Sequence, residues 1–416
     1  MENVSKIGHD VFNILRNEEY RQRNTVELIA SENFVSDDIL RALGSVFTNK
    51  YTEGYPAERY DGMGNSGRYY GGCQYYDQLE NLCVKRWKQV FRCEDTYHVN
   101  VQPHSGTQAN MEAYASVLNI GDRVLAMDIQ SGAHLSHGSK ASSTSKLYEF
   151  DYYGLDENGY IDLNQIFTKL RLFRPKLVVV GASAYSREIP FGEICEMCHD
   201  EGALVLTDIA HIAGLVATGF HESPFSLNEY GADLITTTAH KTLRGPRGGL
   251  IFSKPELAKK VDSAVFPKNQ GGSLMNVIAA KAICAEEALS YSYHDYIEQV
   301  VKNAKAMADE FIKMGYKVVS GGTDNHLFLL DLNGIGVTGV EVQEACDEND
   351  ITLNKNSIPN DPLPPSKTSG VRIGTSAMTT KGYKEGDFII MAHRIDSIIK
   401  QIQDNHNKNK SSIIVG

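Results

Sequence analysis

The chain has no run of about 18 apolar residues that could cross a bilayer. Its opening stretch, residues 1–22, scatters acidic residues through an amphipathic pattern. It lacks the basic start, apolar block and cleavage site of a secretory signal. Neither a membrane span nor export is therefore expected. Cysteine is scarce, with seven residues, an odd number thinly spread. That excludes a disulfide-stapled scaffold and fits a reduced, cytoplasmic setting. A basic excess is also missing: 41 Lys and Arg face 52 Asp and Glu, a formal charge of −11. This argues against a nucleic-acid backbone binder and leaves room only for a local basic pocket. The single tryptophan, Trp87, and the tyrosines read as packing and interface residues. Cys195-Glu196-Met197-Cys198-His199 spells a haem attachment pattern, but it lies in a helix-like stretch of a chain with no export signal. No zinc spacing occurs among the remaining histidines and cysteines, so no metal is expected. Glycine and proline are present in ordinary amounts (36 and 12) and 42% of residues are apolar, so neither a disordered nor a collagen-like chain is in view.

What is present is an alternation of strands and helices. At 416 residues the chain has room for two or three domains. His98–Gln102 reads as a strand, then a turn (Pro103-His104-Ser105-Gly106-Thr107) and a helical pattern. Leu177–Val180 and Leu204–Leu206 are short continuous apolar runs with the helical segment Phe191–Glu201 between them. Such runs suit strands buried on both faces of a parallel sheet, whose ligands gather at the carboxyl ends. After about residue 285 a long helix, Tyr293–Met314, is followed by short strands at Lys317–Val319, Leu327–Leu332, Ile351–Leu353 and Val371–Ile373. The predicted organisation is an N-terminal helical arm (1–30), a large domain (31–285), a small α/β domain (286–400) and a polar tail (401–416) expected to fray.

Three features carry chemistry. In Thr236-Thr237-Thr238-Ala239-His240-Lys241-Thr242-Leu243-Arg244-Gly245-Pro246-Arg247, a β-favouring run ends at a lysine. A lysine in a cleft among cations can lose its proton and capture a carbonyl, with His240, Arg244 and Arg247 supplying the field. On this segment alone a solvated basic loop fits equally well. Ser105-Gly106-Thr107 lies between strand and helix, where free N–H groups and hydroxyls suit a phosphate, though it could be a plain helix cap. Asp208, just past an apolar strand, can keep a heteroaromatic nitrogen protonated, or merely cap a turn. A phosphate cradle, an imine-forming lysine and an acid at a strand end are together the fixings of pyridoxal 5′-phosphate.

With these motifs in order, the chain closely resembles the serine hydroxymethyltransferase family from about residue 8 to about residue 395. The matching segments are Glu27-Leu28-Ile29-Ala30-Ser31-Glu32-Asn33, Asn49-Lys50-Tyr51-Thr52-Glu53-Gly54-Tyr55-Pro56, His104 to Asn110, the lysine segment, Gln270-Gly271-Gly272 and Ser369-Gly370-Val371-Arg372-Ile373-Gly374-Thr375. The resemblance implies a fold-type I transferase with a mostly parallel seven-stranded sheet flanked by helices and a smaller C-terminal α/β domain. It implies that Lys241 holds the cofactor, Asp208 pairs with its pyridine nitrogen, and His134 stacks on its ring. Ser183 and His211 would lie near its phenolic oxygen, and Ser105, Gly106 and Thr107 would hold its phosphate, with His240 beside the lysine. Ser31 and Arg372 would grip the amino-acid carboxylate. Family members are dimers or pairs of dimers with shared sites, so Tyr51, Glu53, Tyr70, Gly271 and Gly272 would reach the site from a second copy. Glu53 would handle the proton near the serine hydroxyl and the folate. The implied reaction moves a hydroxymethyl group from serine to tetrahydrofolate, leaving glycine. The alternatives are a folate-independent aldolase or transaldolase, or an α-methylserine-type variant. A non-catalytic relative is disfavoured by the presence of Lys241, Asp208, His134, Glu53 and Arg372.

Departures from the family pattern fall on the folate side. Ile129 and Ala133 stand where Leu and Gly are usual, with Leu135 and Asn356 as further candidate folate contacts. Pro364 and Ser366 replace Ser and Phe, and Ser273 and Asn276 replace Pro and His. The segment Ala57–Arg68 is about nine residues longer than usual, and the family's arginine falls on Arg59 or Arg68, with Arg68 preferred because Tyr-Tyr-Gly-Gly follows it. This loop is expected to cover the substrate mouth.

Overall fold

The computed structural model describes residues 8–56, 67–225 and 230–414, with side chains to residue 408. Most of the long insertion, including Arg59, lies outside the described residues, so its expected role as a cover for the substrate mouth stays an expectation.

Among the described residues thirteen strands appear in chain order: β1 (Val26–Glu27), β2 (His98–Asn100), β3 (Arg123–Met127), β4 (Glu149–Tyr153), β5 (Leu177–Val180), β6 (Leu204–Asp208), β7 (Leu234–Thr238), β8 (Gly249–Ser253), β9 (Lys317–Val318), β10 (Leu327–Asp331), β11 (Ile351–Thr352), β12 (Asn354–Asn356) and β13 (Gly370–Gly374). Seven of them form one sheet in the order β2-β8-β7-β6-β5-β3-β4. The contacts from β7 through β4 are parallel, and β8 runs antiparallel to both its neighbours. The continuous apolar runs arise because both faces are covered. Val124, Ala126, Leu177 and Val179 point into one core. Leu125, Met127, Val178 and Val180 point into another on the opposite face.

The small domain has an antiparallel sheet in the order β12-β13-β10-β9. Its core also takes Val26 and Leu28 from the N-terminal segment. Strand β1 pairs in parallel with β11 through Val26–Ile351 and Glu27–Thr352. Among its described residues the N-terminal arm is helical over His9–Asn24, and then becomes an edge of the C-terminal core. The helix Tyr291–Lys313 joins the two cores. Tyr293, Tyr296, Ile297 and Val300 pack in the large one, while Met307, Ala308 and Phe311 pack in the small one.

The last helix runs Glu385–Ile414, so the described part of the polar tail from Gln401 is helical. Its buried anchors Phe388, Ala392, Ile395 and Ile399 recur at helical spacing, and the polar stretch beyond them continues the helix they start.

Candidate active site

The carboxyl ends of the parallel strands, the switch into β8 and strand β13 of the small domain border one cleft of about 470 Å³. It is lined by Ser31, Glu32, Ser105, Gly106, Thr107, Ala133, His134, Leu135, Ser183, His211, Thr238, His240, Lys241, Arg247 and Arg372. Eleven positions named from sequence as cofactor, lysine-loop or substrate residues (Ser31, Ser105, Gly106, Thr107, His134, Ser183, His211, His240, Lys241, Arg247 and Arg372) therefore share one space.

At one end, Ser105 Oγ accepts a hydrogen bond from the Gln108 amide (3.1 Å) and starts the helix Gly106–Val117. Glycine is required at the first helical position, because a Cβ on Gly106 would come within 2.6 Å of the Thr238 methyl group. The helix N-terminus is thereby set against the end of β7, where its free amides face the cleft with Thr107. Thr238 Oγ1 and His240 Nδ1 are buried there with no hydrogen-bond partner. Arg247 adds a cation. Amides, hydroxyls, an imidazole and a guanidinium with polar atoms left over are a donor set suited to phosphate.

In the middle stands Lys241, buried. Burial, with the cations of Arg372 and Arg247, outweighs the attraction of Asp208 and lowers its ammonium to about 8. Its loop is clamped by Asn33, whose Nδ2 donates to the Lys241 carbonyl (2.9 Å) and to Tyr296 Oη (2.8 Å). Thr380 in turn donates to Asn33 Oδ1 (2.7 Å). The segment around Asn33 thus works partly as a brace for the lysine turn.

On the cleft floor, Asp208 Oδ2 accepts from Asn110 Nδ2 (2.8 Å) and meets His137 Nε2 (2.9 Å), and Oδ1 accepts from the Ala210 amide (3.0 Å). Burial alone would raise this carboxyl. The His137 hydrogen bond and the nearby Lys241 charge prevail and hold it well below the usual carboxylate range. His134 is pushed down to about 4 chiefly by burial, so its ring is neutral and free to stack. His134, His137 and Asp208 offer potential metal-ligand atoms within 4.8 Å of one another, but His137 and Asp208 use theirs on each other.

At the far side, Arg372 on β13 donates from Nη1 to the Ser183 carbonyl (2.7 Å) and from Nε to Asn354 Oδ1 (3.1 Å). These bonds fix the guanidinium plane and leave Nη2 for a ligand. Burial lowers this guanidinium to about 10.

The expectation that Arg244 contributes to the cationic field is not met. It has φ of 55° and lies over the rings of Tyr296 (4.3 Å) and Tyr293 (5.6 Å), away from the cleft lining. Residues not picked out from sequence are Asn110, His137, His326, Asn354 and the brace role of Asn33. His137 had a signal in its spacing from His134; the others depend on distant contacts.

Tyr51, Glu53, Tyr70, Gly271 and Gly272 gather in a separate place, and none of them lines the Lys241 cleft. Tyr51 and Tyr70 rings lie 5.6 Å apart and are exposed. A Cβ on Gly272 would reach within 2.9 Å of the Tyr51 ring, and one on Gly271 within 3.6 Å of Glu53 Oε1. Arg68 is buried among Thr52 O, Gly54 O, Asp77 and Glu80, where it ties this segment to the helix Gln74–Val90. The replaced positions Ser273 and Asn276 bond to residues far away in the chain, Thr52 Oγ1 (2.7 Å) and the Leu43 carbonyl (2.9 Å).

A second cavity of about 410 Å³ adjoins the cleft and shares Ala133 and Ser183 with it. Ile129, Asn354, Asn356 and Pro365 line it, whereas Leu135 faces the Lys241 side. The Cys195 to His199 pattern is helical: both cysteines are buried, and His199 pairs with Asp233 (2.9 Å). No described helix is long and apolar enough to cross a membrane.

A mostly parallel seven-stranded sheet with a lysine, an acid and a phosphate-suited helix end at its carboxyl edge defines a fold-type I pyridoxal-phosphate enzyme. The particular family follows from comparison with known families: the serine hydroxymethyltransferase model matches residues 4–395, and the chain belongs to that family. It is accordingly a member of a pyridoxal-phosphate-dependent family of hydroxymethyl transferases.

Proposed function

We propose that this protein transfers the hydroxymethyl group of L-serine to tetrahydrofolate, giving glycine and 5,10-methylenetetrahydrofolate. The observation that carries the reading is the pair of adjoining spaces. One is lined by the lysine and arginine needed for an amino acid on the cofactor, and the other, which shares Ala133 and Ser183 with it, is large enough to seat part of a pterin.

Bound there, pyridoxal phosphate supplies an electron sink for charge developed at the amino acid's α-carbon. Ser105, Gly106, Thr107 and His240 would hold its phosphate. Lys241, at about 8, carries a far larger neutral fraction at pH 7 than a solvated lysine and is a better nucleophile for the aldehyde. Asp208, kept ionised, would hold a proton on the pyridine nitrogen. Arg372 would take the substrate carboxylate, with Ser31 beside it, so that the breaking bond stands perpendicular to the ring. Glu53 is the acid proposed to move the proton of the serine hydroxyl.

Because Tyr51, Glu53, Tyr70, Gly271 and Gly272 do not reach their own chain's cleft, the working form is proposed to be a homodimer with shared sites. Exposed Val11, Phe12, Ile14 and Leu15 on the first helix support a covered face. Pairing of dimers into a tetramer stays within the same reading. Seven free, buried cysteines support a reduced, cytoplasmic setting.

The test is titration of the purified, cofactor-loaded protein with glycine, with and without tetrahydrofolate, following the long-wavelength absorption band. Strong enhancement by folate is expected. Cleavage of a β-hydroxy amino acid at full rate without folate would instead favour an aldolase, a reading motivated by Ile129 and Ala133, two departures from the family pattern that line the second cavity.

A further inference from the structure

We propose that Lys281 is a positioning residue for the phosphate end of the Lys241 cleft. Its ammonium gathers the carbonyls of Val101, Pro103 and Gly249 behind the turn and keeps the amides that open the helix Gly106–Val117 turned to the ligand. Lys281 lies on the helix Met275–Ala288, is 1% exposed, and does not line the cleft itself. Its Nζ donates to the three carbonyls at 2.7, 3.0 and 2.8 Å in turn. A neutral amine has two hydrogens and a lone pair, so only the ammonium can donate to all three. Burial lowers the group to about 8, which agrees with a charged side chain at pH 7.

The three carbonyls place this cation directly behind the helix start. Val101 follows β2, Pro103 opens the turn into Ser105, and Gly249 begins β8. The Gly249 amide also donates to the Pro103 carbonyl (3.0 Å). Gly249 backs onto Ser105 so closely that a Cβ on it would come within 2.4 Å of the Ser105 carbonyl oxygen. A carbonyl oxygen left facing the cleft would repel a phosphate oxygen. The Pro103 carbonyl is instead held on buried Lys281, which leaves N–H groups as the backbone's contribution to the cleft.

Gly248 keeps the lysine's path open, since a Cβ there would come within 2.5 Å of Lys281 Cε. On the same helix, Cys284 Sγ–H donates to the Leu243 carbonyl (3.4 Å) behind the lysine turn, so one helix face supports both ends of the cleft. The charge also reaches the phosphate end. After burial it is what pushes the His104 ring down, and at His240 it adds to Lys241 and Arg247. The inference rests on the proposed function only in reading that end as a phosphate site.

The test binds pyridoxal 5′-phosphate and pyridoxal, which lacks the phosphate, to the cofactor-free full chain and takes the ratio of their dissociation constants. A general loosening of the fold weakens both ligands alike and leaves the ratio unchanged. In Lys281→Met the preference for the phosphorylated ligand should fall roughly 10- to 150-fold, the range of one charged hydrogen bond. Gly248→Ala is the second variant: its methyl meets the far end of a flexible side chain and displaces the lysine without removing it. A smaller fall in the same direction is expected from it. An unchanged ratio in either folded variant overturns the proposal. Equal binding of the two ligands by the unsubstituted protein would instead count against the phosphate reading, and so against the proposed function itself.

Discussion

His137 Nε2 meets Asp208 Oδ2 at 2.9 Å on the floor of the cleft. The imidazole and the nearby Lys241 keep a buried carboxylate ionised where burial by itself would neutralise it, and Asn110 and the Ala210 amide add hydrogen bonds to it. An anion that cannot be quenched at neutral pH is what a protonated heteroaromatic nitrogen needs opposite it.

Asp208→Asn keeps the shape of that network and removes the charge. It should lower turnover by about 10²- to 10³-fold, the range for removing one preorganised electrostatic partner. The folded content should be unchanged, and the cofactor's visible band should shift. Steady-state kinetics with circular dichroism reads both, and undiminished turnover would remove Asp208 from its proposed role.

Lys241→Ala should leave a protein that borohydride cannot tag at that position and that releases its cofactor on gel filtration. In the unsubstituted protein, capture of the aldehyde needs the neutral amine. With the group at about 8 the loading rate should climb through that pH and level off above it. An ordinary lysine would climb through about 10.4 instead. Stopped-flow absorbance across pH 6–11 separates the two.

Arg372→Lys retains one positive charge and loses the planar fork. Losing one charged hydrogen bond, at about 1.5–3 kcal/mol, should raise KM for serine roughly 10- to 150-fold, with a smaller change in affinity for the cofactor. A change confined to cofactor binding would contradict the carboxylate assignment.

Shared sites predict complementation. Lys241→Ala and Glu53→Gln should each be inactive as homodimers. Equal mixing and reassembly should recover about one quarter of the sites, since half the dimers are hybrids and each hybrid has one intact site. No recovery in a demonstrably mixed dimer would place Glu53 and Lys241 in the same chain's site.

Arg68→Met should destabilise the fold by about 3–5 kcal/mol, because it removes the guanidinium that pairs at 2.6 Å with the fully buried Glu80. Urea unfolding measures this, and a loss below 1 kcal/mol would show that the Arg68–Glu80 pair contributes little to the fold.

Much of the site was legible before any coordinates. Residues such as Ser105, Gly106 and Lys241 lie within short motifs whose chemistry depends on local order: a hydroxyl and a glycine before a helix, or a lysine after a β-favouring run. Arg244, in the same run, was misplaced because its φ of 55° turns the side chain onto Tyr293 and Tyr296. No local pattern signals that turn. The helix over the polar end of the chain is not legible there, because the buried residues that anchor it, Phe388, Ala392, Ile395 and Ile399, lie earlier.

The sequence by itself determined the alternation of strands and helices, the chemical kinds of residue at the strand ends and the family to which they belong, because these are written in local order and spacing. Tertiary structure alone decided that Asn33 braces the lysine turn 208 residues away and that β1 completes the C-terminal core. It also decided that His326 faces His211 across 115 residues and that Glu53 stands apart from Lys241 within one chain. Those relationships depend on which buried polar groups meet once the two cores have closed, and nothing in the order of the chain specifies that meeting.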